Sequence, residues 1–158
     1  MCDYSLYEFP NRLAREGEEL VTWRFPLGSL GLASPAELQN ARTKPPLGGF
    51  WETMRVFSER PGSRLSDQLS VCAVCVPPGA RLIVKDIPAV MQKEFDLGPD
   101  ELGKFIETSV DPYRHRDAIQ FANGSVIPLQ HLREGQRVEV LSLVPADELA
   151  AESHTLTF

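Results

Sequence analysis

What this sequence lacks narrows its possible roles first. No apolar stretch approaches the roughly 20 residues that a membrane-spanning helix needs, and the opening residues carry neither the basic start nor the apolar run of a secretory signal. Basic charge is in short supply. Lys and Arg number 16 against 22 Asp and Glu, a formal net charge of -6, so there is no electrostatic footprint for nucleic acid or for an anionic membrane surface. Together these absences predict a cytoplasmic protein whose partner is a small molecule or none, with no nucleic acid and no membrane. They assign no oligomeric state. Cysteine is scarce and odd in number: Cys2, Cys72 and Cys75 cannot all pair within one chain, which disfavours the disulfide framework of a small secreted domain. In a reducing compartment, thiols left over from pairing point to packing, metal binding or chemistry.

What is present describes an ordinary globular chain. With 158 residues, 42% of them hydrophobic and 24% charged, the sequence is long enough to bury one real core and too apolar to be disordered. One domain spanning residues 1–158 is expected. Three stretches, "REGEELVTWRF", "PPGARLIVKDI" and "REGQRVEVLSL", each set a glycine just ahead of a run of Val, Leu, Ile or aromatics, as a turn releasing a strand. "SVCAVCVPPG" adds a strand with apolar or sulfur side chains on both faces: Val71, Ala73 and Cys75 on one, Cys72, Val74 and Val76 on the other. Such a strand is buried on both sides. The predicted fold class is mainly β, a small antiparallel barrel or sandwich with one or two short helices.

The helix signals lie in "SPAELQNAR", where Ser34, Pro35 and Glu37 form a capping start, and in "GPDELGKF", with an early proline and acids in the first turn. Between about Gln39 and Leu69 the chain makes a long excursion in which Pro and Gly alternate with Phe50, Trp51, Met54, Val56 and Phe57.

"DAIQFANGSVIPLQHL" predicts a hairpin. Asn123-Gly124 is the preferred pair for a two-residue type I′ turn, which would pair Phe121 with Val126 and, continued, Arg116 with His131 and His115 with Leu132. His115, Asp117, Ile119 and Phe121 would then share one face, opposite Arg116, Ala118 and Gln120 with Ile127, Leu129 and His131. Pro128 cannot donate to a ladder and marks an edge or a bulge.

Cys72 and Cys75 have CxxC spacing, but a redox CxxC sits where a loop enters a helix, and a zinc knuckle needs a turn. Inside a β-branched run, residues three apart face opposite sides and cannot share a ligand. As a pair they read as buried apolar residues, although one of them could still meet Cys2. Cys2 itself is a poor choice for a fraying end, since exposed thiols oxidise; it is either packed, or reactive, or a ligand. Of the histidines, His115 has Asp117 two residues on to orient its ring, the support that metal-bound imidazoles usually have. The competing reading is a solvated strand entry. His154 reads as a solvated tail residue.

The segments "MCDYSL", "GLASP", "AVCVPPG" and "HRDAIQFANG" resemble a group of small uncharacterised bacterial proteins that begin Met-Cys-Asp-Tyr-Ser. The resemblance places Cys2, Cys75 and His115 in recurring segments, leaves Cys72 unmatched, and makes the 39–69 excursion an addition to the pattern. It implies no activity.

Three functional expectations follow. The first is a mononuclear metal site of Cys2, Cys75 and His115, with zinc the first choice and copper or iron as alternatives, and with a fourth position open for a catalytic or sensing role. The second makes Cys2 an N-terminal nucleophile of a hydrolase, its own α-amine acting as base and His115 or Asp117 assisting. The third is a binding module without chemistry, with "GFWETMRVF" as its contact patch.

Overall fold

The computed structural model describes residues 2, 6, 8–43, 71–111 and 113–144. The aromatic centre of the excursion and His154 lie outside them. The elements run β1 (Asn11–Leu13), β2 (Glu19–Arg24), β3 (Leu30–Ala33), α1 (Pro35–Thr43), β4 (Ala73–Cys75), β5 (Arg81–Lys85), α2 (Ala89–Phe95), β6 (Glu101–Glu107), β7 (Asp117–Phe121), β8 (Val126–Pro128) and β9 (Arg137–Ser142). Seven strands make one antiparallel sheet in the order β3-β2-β9-β5-β6-β7-β8, curled into a half-barrel, while β1 and β4 form a separate parallel pair. The expected mainly β class is the one the chain adopts.

The shared glycine-then-strand pattern has one physical cause. Gly17, Gly79 and Gly135 precede β2, β5 and β9 with φ of 77°, 93° and 81°, a left-handed conformation that costs a side chain but not glycine. In that pose each amide turns onto a neighbouring strand. Gly17 donates to the Val140 carbonyl at 2.7 Å, and Gly79 and Gly135 donate to those of Phe105 and Thr22 at 2.8 Å. Each turn therefore both releases a strand and pins it to the next.

The hairpin forms, but not in the expected register. Gly124 has φ of 88° while Asn123 is not in the positive region, so the turn is not type I′. Phe121 donates to the Ser125 carbonyl and Gly124 to that of Phe121, giving a three-residue loop closed by a glycine bulge. The ladder then runs Gln120↔Val126, Ile119↔Ile127 and Ala118↔Pro128. A one-residue slip exchanges faces: Ile127 lies opposite Ile119, both fully buried, and not beside Ala118. After Pro128 the chain leaves the ladder in a 3₁₀ turn over Leu129–His131, so His131 never meets Arg116.

The helix expected at "GPDELGKF" is instead the start of β6, and the second helix lies earlier. Gly98 donates to Oε1 of Glu101 at 2.7 Å, Asp86 donates through its amide to Oδ1 of Asp100 at 2.9 Å, and Ile87 donates to the Pro99 carbonyl. The acids that resembled a helix start hold a turn between α2 and β6. Helix α2 ends at Asp96 in the left-handed region, φ 53°. The hairpin loop caps it: Asn123 Nδ2 donates to the carbonyls of Phe95 and Asp96 at 2.8 and 2.9 Å, and Ser125 Oγ to that of Phe95 at 3.1 Å.

Strand β4 is a wall between two cores. Val74 and Val76 face the main core with Leu82, Phe105, Ile119 and Val140, while Val71, Ala73 and Cys75 face a smaller cluster with Phe9, Phe25 and Leu38. The alternation expected for this stretch thus sorts its side chains between the two, except for Cys72, which is half-buried and belongs to neither cluster. The two edges of the curled sheet meet through a side chain. Gln130, just after β8, accepts from the Leu30 amide at 2.8 Å and donates to the Leu30 carbonyl at 2.7 Å, bonding edge strand β3 as a backbone unit would.

Candidate functional site

The smaller core is assembled by the N-terminal arm. Cys2, Leu6 and Phe9 are buried at 4%, 2% and 4% exposure, and the Phe9 ring lies 5.4 Å from that of Phe25, tilted by 45°. Leu6 and Phe25 close over Gly31 of β3, where a methyl group would come within 2.9 Å of the Phe25 ring. A glycine between apolar residues in a strand is the sequence sign of such a close approach; it stands in "GSLGLASP" but does not by itself say which segment arrives.

Cys75 is fixed by the pairing of β4 with β1. Leu13 pairs with it in the parallel ladder, the Ala14 amide donates to its carbonyl at 2.9 Å, and the Ala73 amide donates to the Pro10 carbonyl at 2.7 Å. Its sulfur is bonded to that of Cys2, 73 residues away, with Cα atoms 4.8 Å apart, within the normal span for a disulfide. Beside the bond lies a small cavity of about 10 Å³ whose lining includes Cys2, Cys75, Leu6, Phe105, Leu129 and Asp117. That is the room one water centre needs. Asp117, the first residue of β7, is 5% exposed and is the one charged side chain among the described residues lining the cavity.

The expected Cys/Cys/His metal site is overturned. Its two sulfurs are spent on each other, and a disulfide has no thiolate to offer an ion. His115 precedes β7, is exposed, and does not line the cavity. Among the described residues no group of three or more His, Cys, Asp or Glu side chains could hold a metal ion. The bond also occupies the thiol that the N-terminal nucleophile requires. Of the residues proposed from the sequence, Cys2, Cys75 and Asp117 come together; His115 stays outside.

Cys72 stands apart, as the strand geometry requires. It is free and half-buried, and burial first, then the Glu37 carboxylate, pushes its thiol up from the usual 9.0. Around it Arg12 forks onto Glu18, with Nη1 to Oε2 at 3.0 Å, and reaches Glu37 from Nε at 3.3 Å. The hydrogen bond from Arg12 holds the Glu18 carboxyl below its ordinary value of 4.5. These groups fasten β1 to the turn before β2 and to α1. A wider concavity of about 360 Å³ lies between α1 and β2, floored by Trp23, Leu38 and Val21; among the described residues lining it, Glu134 is the one titratable side chain. No helix among the described residues is long and apolar enough to cross a membrane.

Comparison with protein-family models, curated proteins and solved structures finds no match, so a functional reading rests on the chemistry of the site.

Proposed function

We propose that the protein is a thiol–disulfide switch in which Cys2 and Cys75 form a reversible couple that fastens the N-terminal arm to β4. The single observation that carries this reading is the Cys2–Cys75 bond joining the arm to a strand wedged between two cores. A bond placed there is mechanically consequential. When it is closed, Cys2 is tethered to β4; when it is opened by a dithiol reductant, with two electrons and two protons taken up by the sulfurs, Cys2 loses that tether, while Leu6 and Phe9 still pack into the smaller core. Both cysteines are under 10% exposed, which slows encounter with large reactants and suits a switch better than a rapidly turning-over oxidoreductase. In a cytoplasmic setting, as the sequence suggests, disulfides are usually regulatory or catalytic and not structural.

The test is a redox titration of the intact chain in glutathione buffers, with the thiol state read by alkylation and mass and the arm by Trp23 fluorescence, since Trp23 packs against the cluster that holds the bond. Reversible titration with a midpoint between about -180 and -320 mV, the span of cellular glutathione poises, supports a switch. A bond that resists reduction until the protein unfolds makes it a fixed staple and overturns the reading.

A further inference from the structure

We infer that Asp117 is the proton exchanger of the Cys2–Cys75 couple, acting through a single water in the cavity they share. The inference rests on the proposed switch and adds to it the residue that moves the proton. Thiol–disulfide exchange needs one. The attacking sulfur must be a thiolate, and the sulfur that leaves carries away the electron pair of the broken bond. At sulfurs this buried, 4% and 9% exposed, both proton movements call for a local partner.

The geometry supplies one candidate among the described residues. Asp117 lines the same cavity as the two sulfurs, its Oδ1 is buried, and that cavity is one water in size. The other described residues of the cavity wall bear no charge. The charged groups nearest to Asp117 on its own and the adjoining strand are Arg116, its chain neighbour, and Glu107, directly across the β6–β7 ladder; these two sit 3.8 Å apart, Nε to Oε1. His115, two residues earlier, is exposed. Cys75 stands on β4 and Asp117 on β7, whereas Cys2 belongs to the arm.

The step balances as follows. The thiolate of an external dithiol attacks Cys2 Sγ and forms a mixed disulfide; the Cys2–Cys75 bond breaks, and Cys75 leaves with the electron pair. The Asp117 carboxyl gives a proton through the water to the Cys75 thiolate and becomes a carboxylate. The second thiol of the reductant then releases Cys2 as a thiol, and the reductant leaves as its own disulfide. In closure, the Cys2 thiolate attacks oxidised glutathione and releases one glutathione thiolate; the Asp117 carboxylate then takes the Cys75 proton, and Cys75 attacks Cys2 Sγ of the mixed disulfide, breaking the Cys2–glutathione bond and releasing the second glutathione as a thiolate.

The experiment follows closure by oxidised glutathione and opening by dithiothreitol in wild type, Asp117→Asn and Asp117→Glu, from pH 5.5 to 9, with quenched alkylation and mass as readout. Loss of a positioned acid–base group is expected to slow closure about 10²-fold in Asp117→Asn near pH 7, to remove one inflection from the pH–rate profile, and to be partly rescued in Asp117→Glu. A profile in Asp117→Asn that superimposes on wild type, with wild type cycling normally, overturns the inference and leaves the switch intact. A wild type that does not cycle overturns both. If Asp117→Asn fails to fold, the solvent isotope effect on wild-type closure decides: an effect near that of free cysteine under the same conditions overturns the inference, and a larger one supports it.

Discussion

Removing the Cys2–Cys75 bond gives the sharpest thermodynamic prediction. The linked residues are 73 apart, and the loop-closure relation for a chain of that length gives about 4.4 kcal/mol at 25 °C through restriction of the unfolded state. For a chain of this size, each kcal/mol moves the melting midpoint by roughly 2–4 °C, so the doubly substituted Cys2→Ala, Cys75→Ala protein is expected to melt roughly 9–18 °C below the oxidised wild type. Calorimetry of both proteins, with and without a phosphine reductant, reads the effect; reductant lowers only the wild type. The loss has a location as well as a size. The closed loop encloses β1, β2, β3, α1 and β4 but leaves β5 to β9 outside, so hydrogen exchange should rise first at Leu20 and Leu32 and last at Val84 and Phe105. A doubly substituted protein that melts with the oxidised wild type, or loses protection uniformly, refutes the reasoning.

Other perturbations test the frame around the bond. Gly31→Ala places a methyl group against Leu6 and the Phe25 ring; overpacking of this kind costs about 1–3 kcal/mol and should accelerate reduction of the disulfide by dithiothreitol several-fold. Gln130→Ala removes both bonds to Leu30 and leaves a strand edge unpaired, at a cost of about 1–3 kcal/mol, with faster exchange of the Leu30 amide. Glu18 titrates below 4.5 because Arg12 donates to it. Its contribution to stability is therefore complete above the unfolded value and is lost as pH falls through the depressed one. Carboxyl NMR in Arg12→Met should show Glu18 raised toward the ordinary range, with the Arg15 amide still bonded to it, and an unchanged titration would refute the assignment. Cys72, its thiol pushed up by burial, should alkylate more slowly at pH 8 than a model thiol, the rate still climbing above pH 9.

How much of this was legible depends on how local the deciding interaction is. The strands β2, β5 and β9 were, because a glycine that must adopt positive φ and a run of β-branched residues are properties of the segment itself. So was the partition of β4, since alternation in an extended chain fixes which side chains share a face. Asn123-Gly124 located the hairpin but not its register, because the same dipeptide fits a two-residue turn and a three-residue loop with a glycine bulge, and the choice was made by which residues had to be buried against β6. Likewise "GPDE" has the composition of a helix start; the carboxylates of Asp100 and Glu101 are instead drawn to amides at Asp86 and Gly98, in a turn that exists only once β5 and β6 pair.

The candidate site divides along the same line. By itself the sequence determined that Cys72 and Cys75 cannot act together and that Cys2 is ill suited to an exposed end, because both follow from backbone geometry and thiol chemistry. That Cys2 meets Cys75, that Asp117 faces the same water-sized space, and that His115 stays outside were decided by the tertiary structure, because each depends on how the arm packs over Gly31 and how the half-barrel curls, contacts between segments 25 to 115 residues apart that no local pattern encodes.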